Sequence, residues 1–565
     1  MKKRRVAALF LALTVAAGSV AGCSGGSSSG GSAGTTAAAA AETTAAEMTT
    51  GAAENNQAAD DWSDFVKDGK TVIRVGIEAD PGTLDPFTTG SSNGKNATIK
   101  SCVYQYLGMI QGVGGELAPE LAKSWTQVDA VTYDIELFDY IHDSEGNPIT
   151  ADDVVFSYAT CKQTGSFSSA KFIESMEKTG DYTLRLKITT PAVTLFERIM
   201  QGVPVVNQAA YEASADGMAT ELIATGPYVV KEWISGSSMI LEKNENYWQT
   251  PELAAKDINQ IANVDRIEFS VIKEASQLAI ALETGTVDMV YNLDATEAQR
   301  FMEGGESAEG FNVFTAVNNL TQTMFLNVSE HSVFHDNLAL RQAVLYSFDS
   351  QGLVDGASNG YGVTCKTFGS DLLPDFQEQW HDEEYYEYNP EKAKELIAES
   401  GIDTNSVSLR IVTNNSSMRN KIAQILQAYL LQVGLKSEIL PYEDTLFNTY
   451  KNDPTQWDIL LDNCGTSDTL MGMWRGKLDQ SCCAAGSANM AMDDDMQALV
   501  NAAVHPDTNS PETVNALHQY VKDNAYVYGM YNNLSFTICR NVTTEVALNS
   551  TPWLLPSGCT FVWNK

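Results

Sequence analysis

Strand-like and helix-like segments alternate between residues 70 and 540, and this alternation is the feature that most constrains the fold. Lys70–Ile77 and Thr132–Leu137 alternate apolar and polar residues and are rich in β-branched side chains, which predicts strands. Residues 417–433 place their apolar side chains at helical spacing before Gly434, which predicts a helix. We find no internal repeat. Interleaved strands and helices predict the mixed α/β class.

Three further segments carry local signals. Residues 225–242 predict a hairpin that turns at Ser235 and Gly236. Thr150 followed by Asp153 predicts a capped helix start. Two separate strands are predicted near the end, at 526–531 and 536–540.

The first 23 residues have the organisation of an export signal. A basic run at 2–5 precedes an apolar run at 6–17, which is shorter than the ~20 residues that a membrane-spanning helix needs. The sequence Val-Ala-Gly-Cys at 20–23 looks like a lipobox, the bacterial signal for lipidation of its cysteine. We therefore predict a signal peptide at 1–22 and a lipidated Cys23, so that the rest of the chain is anchored outside the cytoplasmic membrane. The alternative is an ordinary secretion signal with a chance cysteine.

Residues 24 to about 60 are rich in Gly, Ser, Thr and Ala and contain little to bury, which predicts a disordered tether. A flexible segment of this length spans roughly 30–37 Å on average. We assign 23–69 to the lipid anchor and linker, with the folded body starting at Lys70.

The net charge of the 565-residue chain is −36, and it is about −40 once the basic signal residues are removed. A chain this acidic lacks the basic surface that nucleic-acid phosphates require. It also disfavours electrostatic docking on anionic lipid, which leaves the lipid anchor as the expected membrane contact. The eight cysteines other than Cys23 permit disulfides without giving their pairing, and no Cys-x-x-Cys spacing occurs.

Eight short motifs occur in a characteristic order between residues 70 and 540. They are Thr-Leu-Asp-Pro at 83–86, Leu-Ala-Pro-Glu-Leu-Ala-Lys-Ser-Trp at 117–125, Asn-Pro-Ile-Thr-Ala-Asp-Asp-Val-Val-Phe-Ser at 147–157, Thr-Gly-Pro-Tyr at 225–228, Asn-Glu-Asn-Tyr-Trp at 244–248, Glu-Thr-Gly-Thr-Val-Asp at 283–288, Leu-Arg-Gln-Ala-Val at 340–344 and Val-Gly-Leu at 433–435. In this order the chain resembles the family 5 extracellular solute-binding proteins of ABC importers, which include peptide- and nickel-binding members. Most of these motifs are scaffold. We expect Trp125 and Trp248 to pack in the core.

The resemblance implies a periplasmic-binding-protein-like fold of two lobes joined by two crossing strands, with an extra subdomain and a hinge. It places lobe I at 70–92, 205–318 and 526–565, a subdomain of lobe I at 93–204, and lobe II at 319–525. Ligand would bind in the cleft between the lobes.

The resemblance also suggests where ligand contacts lie. Peptide-binding members use an aspartate of the second lobe to pair with the ligand's amino terminus; here that position falls on Thr466, and Asp468 follows two residues later. Either Asp468 takes the role or the amine is not recognised in this way. For the tyrosines, core packing is the equal alternative. The complete set of candidate ligand-binding residues is Ser91, Ser92, Asn93, Tyr291, Asn292, Tyr361, Asn463, Cys464, Gly465, Thr466, Asp468, Tyr528 and Tyr531.

We predict no enzymatic activity, no cofactor and no metal site. His331 and His335 have helical metal spacing but lack the glutamate of a zinc protease motif. The predicted function is a monomeric, lipid-anchored protein that captures a short peptide or other small solute for an ABC permease. The rivals are an oligosaccharide, a nickel chelate or an opine-like compound as solute, a lipoprotein hydrolase, and a receptor that serves a sensor rather than a permease.

Overall fold

The computed structural model describes residues 50–51, 58–88, 97–110, 115–250, 253, 260–465, 469–480, 494–549 and 553–564. Its strands, in chain order, are β1 (Thr50–Gly51), β2 (Val66–Lys67), β3 (Lys70–Ile77), β4 (Gly108–Ile110), β5 (Leu117–Pro119), β6 (Ala122–Asp129), β7 (Thr132–Leu137), β8 (Ile173–Gly180), β9 (Thr183–Ile188), β10 (Tyr228–Ile234), β11 (Ser238–Lys243), β12 (Arg266–Val271), β13 (Met289–Leu293), β14 (Met302–Glu303), β15 (Glu306–Ser307), β16 (Phe311–Leu326), β17 (Gly362–Thr364), β18 (Ser408–Asn414), β19 (Lys436–Tyr442), β20 (Ile459–Cys464), β21 (Val527–Arg540), β22 (Thr543–Ala547) and β23 (Thr560–Phe561).

The α-helices are α1 (Ala97–Val103), α2 (Ala151–Thr164), α3 (Leu195–Met200), α4 (Gln208–Ala213), α5 (Ala275–Glu283), α6 (Ala295–Ala298), α7 (Leu338–Tyr346), α8 (Ser350–Ser358), α9 (Pro390–Glu399), α10 (Ser417–Gln432), α11 (Asp444–Tyr450), α12 (Leu470–Leu478), α13 (Asp494–Val504) and α14 (Pro511–Asp523).

One twelve-stranded sheet runs through both lobes. Its main path is β10-β11-β12-β3-β13-β21-β16-β20-β18-β19, with β17 added to β21 and β2 added to β3. The strands β3 and β10–β13 belong to lobe I, whereas β17–β20 belong to lobe II. The antiparallel pair β16 and β21 joins the two groups. These are the two crossing strands that the resemblance predicts, and the fold is mixed α/β with two lobes.

The subdomain has its own sheet and core. Four antiparallel strands in the order β6-β7-β9-β8 pack against α2 and α3 around a separate hydrophobic cluster. The predicted cap forms, because the backbone N–H of Thr150 donates to Asp153 Oδ2 at 2.7 Å. Trp248 packs in this cluster and donates its indole N–H to Gln105 Oε1 at 2.7 Å, while Trp125 contacts Phe196. Both tryptophans therefore serve packing.

Two boundaries differ from those predicted. The folded chain includes residues before Lys70, because Phe65 is buried and β2 pairs with β3. The predicted strands at 526–531 and 536–540 are one strand, β21, which pairs with β16 in both lobes on either side of a short break in register. Tyr528, Met530 and Tyr531 in its first half pack in lobe II, although the range predicted for lobe I begins at 526.

The described cysteines are buried and free. They are Cys102, Cys161, Cys365, Cys464, Cys539 and Cys559. Cys482 and Cys483 lie outside the described residues, so the pairing question left open by the sequence is answered only for the six.

Candidate functional site

The two crossing strands are interrupted where the lobes meet. Pairing of β16 with β21 runs from Phe311 opposite Arg540 to Val317 opposite Leu534, and resumes only at Thr321 opposite Asn532. Residues 318–320 of β16 have no partner in β21 there, whereas Asn533 of β21 pairs with Gly362 of β17, so it is β16 that can bend more easily at this point. Hinges between domains are a few residues that absorb changes of the backbone angles, and a break in the pairing of strands that join two lobes is a suitable position for one.

A cavity of about 230 Å³ opens beside the interruption. Both lobes and both crossing strands contribute to its wall. The lining residues are Asn292, Leu293, Asp294, Ala295, Thr296, Asn318, Ala357, Ser358, Asn359, Tyr361, Ser417, Met418, Lys421, Asn533 and Leu534. Four asparagine amides and three hydroxyl groups of serine and threonine supply both hydrogen-bond donors and acceptors. A cavity at a domain interface with this lining suits a polar, amide-like solute.

Two of these asparagines have left-handed backbone conformations. Asn292 has φ 59° at the end of β13, and Asn359 has φ 53° after α8. Asparagine tolerates this region better than other residues with a Cβ. The Asn359 amide donates to Thr296 Oγ1 at 3.2 Å, which is a hydrogen bond from lobe II to lobe I. The cavity wall is therefore continuous across the lobes on this side.

The charged side chains that line the cavity differ in whether they already form hydrogen bonds within their own lobe. Asp294 caps α6 and accepts hydrogen bonds from the backbone N–H groups of Thr296 and Glu297, at 2.8 and 3.0 Å. Its carboxylate is thus used within lobe I. Lys421 lies in the second turn of α10 and is exposed, so its ammonium group can reach an anionic part of a solute.

A buried polar network forms the hinge next to this cavity. Thr321 lies between its cross-strand partners Cys464 and Asn532. Asn532 donates to the carbonyl of Asn318 at 2.7 Å and to Thr321 Oγ1 at 3.1 Å, and the Cys365 thiol donates to Asn532 Oδ1 at 2.9 Å. Burial raises the pKa of the Cys365 and Cys464 thiols, so both remain protonated at neutral pH.

The structure separates the predicted tyrosines. Tyr361 lines the cavity and contacts Phe536 edge to face at 5.1 Å. Tyr291 packs into the lobe I core against Trp553, and burial raises its pKa to about 12. Tyr291 is therefore packed in the core, which was the alternative to ligand contact for the tyrosines.

The two tyrosines of β21 are also core residues. Tyr528 stacks on Tyr385 at 4.7 Å, and the hydroxyl of Tyr531 lies 3.1 Å from Ser358 Oγ. Both are buried in the lobe II cluster and do not line the cavity.

The remaining candidates fall into two groups. Asn463 is partly buried opposite Gln322, Cys464 is buried in a hydrophobic cluster of lobe II, and Gly465 follows β20. The other positions lie outside the described residues; they are Cys23, Ser91, Ser92, Asn93, Thr466 and Asp468.

Sequence reasoning found two of the cavity residues, Asn292 and Tyr361, and missed the others. Asn359 precedes Gly360, and an Asn-Gly pair is a turn signal that would have drawn attention to this loop. Asn318 and Asn533 each belong to an Asn-Asn pair in a strand-like context, which is unusual because asparagine is depleted in strands. Met418 and Lys421 carried no signal beyond helical spacing.

The described part of the chain contains neither a metal-binding cluster nor a membrane-spanning helix. Within it, no group of three or more His, Cys, Asp or Glu side chains is placed to hold a metal ion. Among the same residues, no helix combines the length and apolar character that crossing a membrane requires.

Comparisons with known proteins place these features in context. A family model described as bacterial extracellular solute-binding proteins, family 5 middle, matches residues 116–477. The oligopeptide-binding protein AppA of Bacillus subtilis is 25% identical over 375 residues, which cover 60% of this chain and 63% of AppA. The alignment thus spans less than two thirds of that relative.

Solved structures share the fold at lower identity. NikA from Brucella suis in complex with Fe(III)-EDTA superposes with a TM-score of 0.73 at 18% identity, covering 86% of this chain and 99% of NikA. AppA from Bacillus subtilis in complex with a nonapeptide gives 0.65 at 19% identity, covering 83% and 94%.

Proposed function

Because this chain belongs to the family 5 bacterial extracellular solute-binding proteins, we propose that it captures a solute between its lobes and delivers it to an ABC importer. The family consists of binding proteins rather than enzymes. The observation that carries the proposal is the cavity at the interruption of the crossing strands, which both lobes line. Closure of the lobes would bury the solute, and opening at the hinge would release it to the permease.

The proposed solute is a short peptide. The amides of Asn292, Asn318, Asn359 and Asn533 can pair with peptide N–H and C=O groups without selecting side chains. Lys421 would pair with a carboxylate of the peptide. The relatives that bind oligopeptides support this choice, whereas the NikA neighbour with its Fe(III)-EDTA keeps a metal chelate as the alternative. Among the described residues, those that line the cavity include no histidine, which is the commonest protein ligand for metals.

We propose Asp468 as the acid that pairs with the amino end of the peptide. A carboxylate–ammonium pair shielded from water discriminates strongly between a free and a blocked amine. Replacement of Asp468 by Asn keeps the shape and removes the charge.

The location proposed for the protein is the outer face of the cell membrane. Export would follow the signal at 1–22, and lipidation of Cys23 would anchor the chain through the segment that follows. A Cys23→Ser variant is expected to appear in the medium or periplasm instead of the membrane fraction. Retention of that variant in the membrane would contradict the anchor.

The proposal is tested by thermal unfolding of the Cys23→Ser protein with a di- to hexapeptide mixture, an oligosaccharide mixture and nickel–histidine as separate additions. A solute at 100 times its Kd adds about 2.7 kcal/mol of stability. We expect the peptide mixture to raise Tm and the other two to leave it unchanged.

Variants assign the effect to the cavity. Asn292→Gly removes an amide while keeping the left-handed backbone, so it should weaken the peptide effect without strain. Asp336→Gly is the matched control, because Asp336 has φ 50° and an exposed side chain outside the cavity. A shift with nickel–histidine or the sugars alone would retain solute capture and overturn the peptide assignment. Equal peptide shifts in the wild type and Asn292→Gly would contradict the cavity.

A further inference from the structure

The lobes also meet at a second place, where a loop of the subdomain touches lobe II. The loop at 190–194 connects β9 to α3. The backbone N–H of Val193 donates to the carbonyl of Val504, the last residue of α13, at 2.8 Å. The Val193 side chain packs against the hydrophobic cluster of lobe II. Apart from the hinge, this contact ties the subdomain directly to the opposite lobe.

A second contact lies beside the first. The guanidinium carbon of Arg475 on α12 lies 4.4 Å from the centre of the Phe172 ring, which belongs to the subdomain. Arg475 is buried, and its Nε is 3.5 Å from Asp479 Oδ2. A cation over an aromatic face gains most when water is excluded, and the Arg475 side of this contact is buried while Phe172 is partly buried. The backbone N–H of Thr189 donates to the carbonyl of Phe172 at 2.8 Å, so the two contacts are linked on the subdomain side.

Two observations indicate that few contacts hold this junction together and that its loop is strained. The facing surfaces leave a cavity of about 700 Å³ between Pro191 and Ala192 on one side and Arg475 and Asn501 on the other, so they touch at few points. Thr194 has φ 62°, which is unfavourable for a β-branched residue and requires the surrounding contacts to hold it. The junction is thus sparse and its loop is strained.

We propose that these residues form a latch that holds the lobes closed. The latch consists of Phe172 and residues 190–194 of the subdomain with Arg475 and Val504 of lobe II. None of these residues lines the cavity beside the interruption of the crossing strands, which we call the hinge cavity. The latch therefore sets the balance between open and closed lobes without contacting solute in that cavity. It gives the protein a closed-state stability that is independent of solute chemistry. A variant that loosens the latch would raise the fraction of molecules with open lobes. It would speed the release of any solute by the same factor.

The test uses the full chain with Cys23→Ser and no solute. Hydrogen–deuterium exchange of the Val193 amide reports opening, and exchange of the β18 amides reports the stability of lobe II. The readout is the ratio of the two rates, so that a general loss of stability is not mistaken for opening. Phe172→Leu keeps an apolar side chain but removes the aromatic face. We expect it to raise the ratio about tenfold, as loss of a desolvated cation–π contact predicts.

A control on the same ring separates the latch from local packing. The Lys171 ammonium also lies over Phe172, at 4.9 Å, but belongs to the subdomain itself. Lys171→Gln is therefore expected to leave the ratio within twofold of the wild type. Arg475→Gln should raise it as Phe172→Leu does, and the double variant should add little to either. An unchanged ratio in both Phe172→Leu and Arg475→Gln, or an equal rise in Lys171→Gln, would overturn the latch. Since no solute is present, neither result depends on the proposed function.

Discussion

The central strands of lobe I and lobe II follow the same order in the sheet. In each lobe this order ends beside one of the two crossing strands. In lobe I, β12 and β13 flank β3 in parallel, and β13 pairs antiparallel with β21. In lobe II, β19 and β20 flank β18 in parallel, and β20 pairs antiparallel with β16. A single helix, α5 or α11, lies between the two flanking strands in each lobe.

Each lobe also contains an ion pair between a buried aspartate and a half-buried arginine, at the same register. Asp288 precedes β13 and accepts from the backbone N–H and Nε of Arg74 on β3, at 2.9 and 2.7 Å. Asp458 precedes β20 and accepts from the backbone N–H and Nε of Arg410 on β18, at 3.0 and 2.9 Å. We call these pairs the strand clamps. The sequence shows no repeat, yet the strands that carry each clamp have the same neighbours and the same directions in the two lobes.

The lobes differ in the connection that follows the central strand. In lobe II, β18 leads to β19 through one helix, α10. In lobe I, the connection from β3 to β12 occupies residues 78–265 and includes the whole subdomain. A crossover connection lies on the surface, so it can accept a long insertion while the strand order stays fixed. The insertion is what carries Val193 and Phe172 to the opposite lobe.

Breaking the two strand clamps should have the largest effect on stability, and the size of that effect should differ between the lobes. Asp288→Ala leaves the half-buried Arg74 guanidinium without its carboxylate and, because water can reach part of that group, is expected to cost about 2–4 kcal/mol. Asp458→Ala should cost less, about 1–3 kcal/mol, because Arg410 also donates to the carbonyl oxygens of Thr455 and Trp457. Urea unfolding with exchange of β3 and β18 amides measures each lobe. A larger cost for Asp458→Ala would contradict this order.

The pH dependence of stability should differ between the lobes. In lobe II, burial lowers the pKa of His518 to about 4, with Lys522 acting in the same direction and Glu383 opposing it. An unfolded histidine has a pKa of about 6.5, so the unfolded state binds more protons between pH 4 and 6.5. Lobe II should therefore lose up to about 3 kcal/mol as pH falls through that window.

Lobe I should respond in a different window. Burial lowers the pKa of Lys100, on a helix packed in the lobe I core, to about 8. Against an unfolded value of about 10.4, lobe I should gain stability as pH rises from 8 to 10.4. Exchange of β3 and β18 amides across pH checks both windows. His518→Gln should flatten the acid response of lobe II alone, and an acid response that persists in this variant would assign it elsewhere.

Two close backbone contacts should give intermediate effects. A methyl group on Gly226 would overlap the backbone of Val103, and one on Gly529 would overlap the carbonyl of Thr367. Gly226→Ala and Gly529→Ala should each cost about 1–3 kcal/mol, the first in lobe I and the second in lobe II. Gly476, in α12, has free space around it, so Gly476→Ala should be neutral or stabilising by up to about 1 kcal/mol. Differential scanning calorimetry ranks the three, and a destabilising Gly476→Ala would show that space alone is not decisive.

The smallest differences should come from the helix caps beside the hinge cavity. Asp294 of lobe I accepts two backbone N–H groups, whereas Ser416 of lobe II accepts one, from Arg419 at 3.3 Å. Asp294→Ala is expected to cost about 1–2 kcal/mol and Ser416→Ala about 0.5–1 kcal/mol. Urea midpoints measure both, and equal costs would show that the second bond of Asp294 adds nothing.

Much of the fold was predictable because its signals are local. The hairpin at 225–242 forms as β10 and β11, and the helix predicted at 417–433 forms as α10, because each pattern spans neighbouring residues. The crossing strands were harder to predict. β16 was not predicted and β21 was predicted as two pieces, because Asn318 and Asn533 interrupt the apolar pattern where the chain passes between lobes.

The sequence by itself determined the class, many of the individual strands and helices, and the family, since local periodicity and ordered motifs specify these. Only the tertiary structure decided which side chains meet. The hinge cavity joins residues near 292, 318, 359, 418 and 533, and the latch joins 172 and 193 to 475 and 504. Tyr361 faces the cavity while Tyr528 and Tyr531 are buried, although no local pattern distinguishes them. Their environments are set by long-range strand pairing and lobe packing, which bring together segments that are far apart in the chain.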